Sequence, residues 1–129
     1  MTSLKIGDKA PLFTGIDQYN NIIQLIDFKG QKVVLFFYPK ASTPGCTAQA
    51  CNLQDNIDYF IDNNYKVVGV SADTQQRQLN FSNKNKLSYP LIADTNKNII
   101  NTYGVWGNKK FMGKEYEGIN RTTFIIDEN

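Results

Sequence analysis

Cys46 and Cys51 are the two cysteines of this 129-residue chain, and no histidine accompanies them. With imidazole absent, acid or base chemistry falls to carboxylates, lysine, tyrosine or a thiol. Two cysteines without histidine are too few for an ordinary structural zinc site, and too few for the disulfide framework of a secreted domain. What remains is a redox pair or two inert core thiols, and for two arbitrary cysteines the inert pair is the commoner case.

The setting of Cys46 favours the redox pair. Thr43-Pro44-Gly45-Cys46 opens a helix, with Thr43 as N-cap and Pro44 at the first helical position. Cys46 then falls in the first turn, where unpaired backbone N–H groups and the helix dipole stabilise a thiolate, the nucleophilic form. On a regular helix the five-residue offset to Cys51 is a rotation of about 140° and a Cα separation of about 8–9 Å. A disulfide wants about 4.4–6.8 Å. If the pair is a redox pair, oxidation of Cys46 to a sulfenic acid must be followed by unwinding of the first turns before Cys51 can attack and expel water.

The elements that would position this segment follow from the apolar pattern. Val33 to Tyr38 is a continuous β-branched and aromatic run, a strand buried on both faces and central in its sheet. Pro39 ends it. After the helix start, Leu53, Ile57, Phe60 and Ile61 recur at helical spacing up to a stop at Asn63-Asn64. Val67 to Val70 is a second buried strand, and Asp73 caps a weaker helix, of poor apolar spacing, through about Lys84. Leu91 to Ala93 is a short strand, Ile99 to Tyr103 a short helix, Gly104 to Asn120 a glycine-punctuated loop or hairpin, and Thr122 to Ile126 a final strand. Upstream, Leu12 to Ile16 and Ile22 to Leu25 form a hairpin through Tyr19-Asn20-Asn21. Strands alternating with helices indicate an α/β domain with a largely parallel sheet and an antiparallel hairpin added. In such a sheet, sites gather where strands pass into helices, and residues 37–46 occupy such a junction.

The length suits one domain spanning 1–129. Hydrophobic residues make up 41% and charged residues 20%, with no apolar run of the roughly 18 residues a membrane span needs, so a soluble chain is expected. The N-terminus lacks the pattern of a secretory signal, so the cytoplasm is the expected location unless a targeting peptide has been removed. The net charge of +2 is spread along the chain, which argues against nucleic acid as a partner.

The segment from Tyr38 to Cys51 resembles the active-site segment of peroxiredoxins of the bacterioferritin comigratory protein (peroxiredoxin Q) subfamily. It carries the Pro-x-x-x-Thr-x-x-Cys core at Pro39, Thr43 and Cys46, and the second cysteine five positions on. Gly118 to Asp127 is similar to the strand bearing the family's active-site arginine. Residues 7–13 and 67–73 extend the similarity over nearly the whole chain.

The resemblance implies a thioredoxin-like fold, with a mixed central sheet flanked by helices and an N-terminal β-hairpin. It implies reduction of hydrogen peroxide and organic hydroperoxides, with electrons returned by thioredoxin or a similar dithiol protein and no metal, flavin or haem. Carried over by position, Cys46 is the peroxidatic cysteine and Cys51 the resolving one. Thr43 hydrogen-bonds the peroxide, Pro39 shields the thiolate, and Arg121 holds thiolate and peroxide oxygens with its fork of donors. By itself an arginine ahead of a strand is just solvated. A resolving cysteine in the same helix makes an intramolecular cycle available, so a monomer suffices and a dimer is unnecessary. Two departures stand out. Gln49 replaces the acidic residue often found three positions after the peroxidatic cysteine. The family also usually continues past the last strand with another strand and a closing helix, so a sheet edge or apolar face is expected to lie open.

Two other functions compete. A thiol–disulfide oxidoreductase normally uses Cys-x-x-Cys, and the four-residue gap here argues against it. A non-catalytic redox sensor or binding module on the same fold would have no need to retain Pro39, Thr43, Cys46 and Arg121 together.

Overall fold

Val33 to Phe37 carry five consecutive apolar side chains, and in a strand alternate ones must point to opposite faces. In the computed structural model, which describes residues 4–111 and 114–127, they do so within strand β3 (Lys32–Phe37). Val33, Leu35 and Phe37 enter one apolar core, Val34 and Phe36 the other. Such a strand must be flanked on both edges. It pairs parallel with β4 (Tyr65–Ser71) and antiparallel with β8 (Thr122–Ile126), while β5 (Leu91–Ala93) extends the parallel side beyond β4. The central sheet is therefore mixed, in the order β5-β4-β3-β8.

Helices α1 (Pro44–Asp55) and α3 (Gln75–Asn85) contribute Cys46, Ala50 and Phe81 to the core of one face, and α2 (Ile57–Asp62) packs the partly buried Ile57 and Phe60 against it. The other face is covered by α4 (Asn98–Thr102), by the hairpin β1 (Thr14–Ile16)–β2 (Ile22–Gln24), and by residues flanking a second hairpin, β6 (Trp106–Phe111)–β7 (Lys114–Ile119). The stretch Gly104 to Asn120 is thus a hairpin. No described helix is long and apolar enough to cross a membrane.

The single helix expected up to Asn63-Asn64 is two. Asn56 donates its side-chain amide to the carbonyl and the side-chain oxygen of Asn52, at 2.8 and 3.0 Å, and its own N–H turns to the Leu53 carbonyl. An asparagine that bonds nearby backbone competes with the helical ladder. The helix breaks there, and Ile61, expected in the core, is 63% exposed.

Asp73 does not cap α3. Thr74 is the N-cap, its hydroxyl accepting from the Arg77 N–H. The poor apolar spacing of α3 has a physical origin, since two of its buried residues, Gln78 and Ser82, are polar. From the N-terminal hairpin, buried Gln18 donates to Ser82 Oγ and the Tyr89 carbonyl and accepts the Leu91 N–H. Asp17 holds the turn that contains it, accepting the N–H groups of Tyr19 and Asn21.

Candidate active site

Between β3 and α1 the chain must turn from the carboxyl end of a central strand into a helix within a few residues. Ser42 makes the turn in the left-handed region (φ 67°), and Thr43 returns to extended backbone at the N-cap. Pro44 follows at the first position, where its missing N–H costs nothing. The loop is pinned from below. Asp73, itself buried, accepts the Ala41 N–H at 2.7 Å and the Ser71 hydroxyl at 2.7 Å. Ser71 in turn accepts from the Gln78 amide, which also donates to the Ile92 carbonyl, and the Tyr38 hydroxyl donates to Gln78 Oε1. Among the described residues no buried side-chain nitrogen or oxygen lacks a partner, so the network is complete and rigid rather than a source of strain. Burial is the main reason the Tyr38 phenol is pushed far above its ordinary value, and it remains a donor.

Cys46 occupies the third position of α1, as expected, and is 1% exposed. Its surroundings are apolar: Val34, Phe36, Tyr38, Ala41 and Ala50 share its core. Cys51 is half-buried on the same continuous helix, and both cysteines are free thiols. Cys51 donates to Asn85 Oδ1 on α3 at 3.5 Å.

Thr43 stands at the N-cap by backbone, but its hydroxyl does not cap the helix. It donates back to the Lys40 carbonyl at 2.9 Å. With its proton so committed, Oγ1 presents lone pairs, and a ligand O–H would be received rather than given a bond. Pro39 is half-buried in the bend after β3.

Arg121 precedes β8, and the antiparallel pairing of β8 with β3 sets Thr122 opposite Phe37 at the carboxyl end of β3. The guanidinium lies over the first turn of α1. Nη1 donates to Gln49 Oε1 at 3.2 Å, and Nη2 is 3.1 Å from where a Cβ on Gly45 would sit. Glycine at 45 is what admits the arginine this close. Gln49 also donates to Thr123 Oγ1 at 3.3 Å, so a neutral side chain ties α1 to β8 and orients the cation without sharing its charge.

Gly45, Gln49 and Arg121 therefore meet over the start of α1, whose N-cap is Thr43 and whose third residue is Cys46, with Pro39 in the bend that leads to it. Cys51 stands apart, toward α3. Sequence reasoning missed Asp73 as the support of the loop, and with it Ser71 and Gln78. Polar residues at the end of a buried strand and on a helix with few apolar positions were the available signal. Among the described residues no group of three or more His, Cys, Asp or Glu side chains is gathered as a metal site.

A buried thiol at a helix start beneath an arginine, on a mixed sheet of this order, defines a thiol-based redox protein of thioredoxin-like fold. The AhpC/TSA family matches residues 6–129. Peroxiredoxin Bcp of Escherichia coli K12 is 46% identical over 127 residues, covering 98% of this chain and 81% of that protein. Among solved structures, a peroxiredoxin Q mutant of Xanthomonas campestris aligns with a TM-score of 0.84 at 30% identity, over 90% of this chain and 74% of that one. A second Xanthomonas structure, described for the alkyl peroxide reduction activity of its bacterioferritin comigratory protein, aligns with a TM-score of 0.84 at 29% identity, over 90% of this chain and 74% of that one. The chain belongs to the AhpC/TSA family, in its peroxiredoxin Bcp and peroxiredoxin Q branch, and is a thiol peroxidase.

Proposed function

We propose that this single-domain chain reduces hydrogen peroxide and organic hydroperoxides with Cys46 as the attacking thiol and Cys51 as the resolving one, and that a thioredoxin-like dithiol protein restores both. The observation that carries the reading is Cys46 in the first turn of α1 with the Arg121 guanidinium over that turn. The Cys46 thiolate attacks one peroxide oxygen, sulfur gives up two electrons, and the O–O bond breaks. Cys46 becomes a sulfenic acid, and the other oxygen leaves as an alcohol or water after taking a proton from solvent. Arg121 stabilises the charge developing on that leaving oxygen, Thr43 Oγ1 accepts the peroxide O–H, and Pro39 keeps water from the sulfur. Cys51 then attacks the sulfenic sulfur, forming the disulfide and releasing water. A dithiol partner reduces the bridge by exchange, leaving its own disulfide. All steps close within one chain, so the working unit is a monomer, and a dithiol-supplied cycle suits the reducing cytoplasm.

Mass spectrometry of the protein after one equivalent of peroxide tests the cycle. A 46–51 bridge within a single chain is expected, together with Cys46-dependent NADPH consumption in the presence of thioredoxin and its reductase. Bridging between chains, or turnover with Cys51 remaining reduced, would refute the resolving role.

Thr43→Val keeps the shape of the side chain and removes the acceptor. It is expected to lower kcat/KM for peroxide by about tenfold, the scale of one lost hydrogen bond that positions the substrate. Stopped-flow oxidation of the reduced protein checks it, and full activity would remove Thr43 from the reaction.

A further inference from the structure

The proposed cycle asks α1 to open, and the contacts that oppose opening are specific. Ala50, the residue before Cys51, is fully buried, and its carbonyl accepts a hydrogen bond from the Tyr89 hydroxyl at 2.8 Å. In a helix that carbonyl also faces the N–H four residues on, so Tyr89 adds a second donor from outside the helix. Tyr89 is 3% exposed and its ring packs edge-on against Phe36 at 5.8 Å, which fixes where the hydroxyl points. If residues 47–51 unwind, the Ala50 carbonyl departs and leaves a buried hydroxyl without an acceptor, and that penalty exceeds the net worth of the bond itself. Burial first, and next the charge Cys51 can carry, push the Tyr89 phenol up from its ordinary value of 10.0, and it stays a donor throughout.

We propose that the Tyr89 hydroxyl is a positioning group that holds the Cys51 end of α1 folded and thereby sets how fast the oxidised Cys46 is resolved. The inference rests on the roles given above to Cys46 and Cys51. Two fates compete for the sulfenic acid. Attack by the Cys51 thiol gives the disulfide and water. Attack on a second peroxide molecule gives Cys46 sulfinic acid and an alcohol or water, and ends the cycle. A helix held shut prolongs the exposure of the sulfenic acid to the second fate, so Tyr89 tunes the peroxide level at which the enzyme inactivates itself.

Tyr89→Phe removes the hydroxyl and keeps the ring against Phe36. Disulfide formation should accelerate about 2- to 10-fold, the worth of one hydrogen bond. The peroxide concentration that converts half of Cys46 to sulfinic acid should rise by the same factor, with the rate of the first oxidation unchanged. Gln54→Ala is the companion variant. It cuts another tie from α1, the bonds Gln54 Oε1 accepts from the Ser88 N–H and hydroxyl at 2.7 and 3.1 Å, but beyond the residues that must unwind. Its half-point should stay that of the wild type. Quantifying disulfide against sulfinic acid by mass spectrometry across a peroxide series reads all three proteins. An unchanged or lower half-point in Tyr89→Phe, or an equal rise in Gln54→Ala, would overturn the role of Tyr89 while leaving the cycle standing. A wild type that never forms the 46–51 bridge would overturn both.

Discussion

Cys46→Ser is expected to reduce peroxide consumption to the uncatalysed background while leaving the fold intact. A serine hydroxyl is a far weaker acid than a thiol, and helix dipole and arginine together cannot ionise it near neutral pH. Serine nucleophiles elsewhere depend on an adjacent base. This chain has no histidine to serve as one. The replacement is nearly isosteric, so the packing around position 46 is kept, and a hydroxyl buried among apolar side chains costs about 1–3 kcal/mol of stability, too little to unfold the chain. NADPH-coupled turnover measures the loss, and far-ultraviolet circular dichroism confirms that the fold persists. Residual turnover above a few per cent would mean that another residue carries the oxidation.

Arg121→Ala is expected to lower the second-order rate of thiol oxidation by about 10²- to 10³-fold, the range found when one donor to a developing oxyanion is removed. Arg121→Lys should recover only part of it, because an ammonium restores charge without the planar fork. The expectation is large because of how Arg121 is held. Its side-chain partner is the neutral Gln49, and the Arg77–Asp73 ion pair lies elsewhere. A guanidinium anchored by an amide keeps its full charge for whatever sits at the helix start. Stopped-flow oxidation at a series of peroxide concentrations gives the rate, and a change of less than about threefold would assign Arg121 to tying β8 to α1.

The parts of this molecule that could be read from sequence are those whose cause is local. Leu91 to Ala93 and Thr122 to Ile126 are strands with the bounds expected of them, because a short β-prone run between turn residues announces itself. The start of α1 was legible for the same reason, since Pro44 fixes its own backbone for the first helical position, although Thr43 holds the N-cap without its hydroxyl capping the helix. What escaped depends on distant partners. Asp73 looks like any helix-capping aspartate until its bond to the N–H of Ala41, 32 residues earlier, is seen. The Gln49 contact with Arg121 spans 72 residues, and residue types alone gave no reason to select that arginine. Helix α3 was weak on apolar grounds because Gln78 and Ser82 are buried by hydrogen bonding, which periodicity of hydrophobic residues does not register. The break at Asn56 shows the converse: a local side-chain bond overrode an apolar pattern that ran straight through it.

The Gln18 side chain carries a consequence for how the chain assembles. Its three hydrogen bonds join residues 64, 71 and 73 positions apart, among the longer loops a chain of this size can close. The entropy given up in closing them is recovered only when Ser82, Tyr89 and Leu91 already stand in register. The N-terminal hairpin therefore docks onto a sheet that others have built. It stands ahead of that sheet in the chain and is expected among the last parts to take its place.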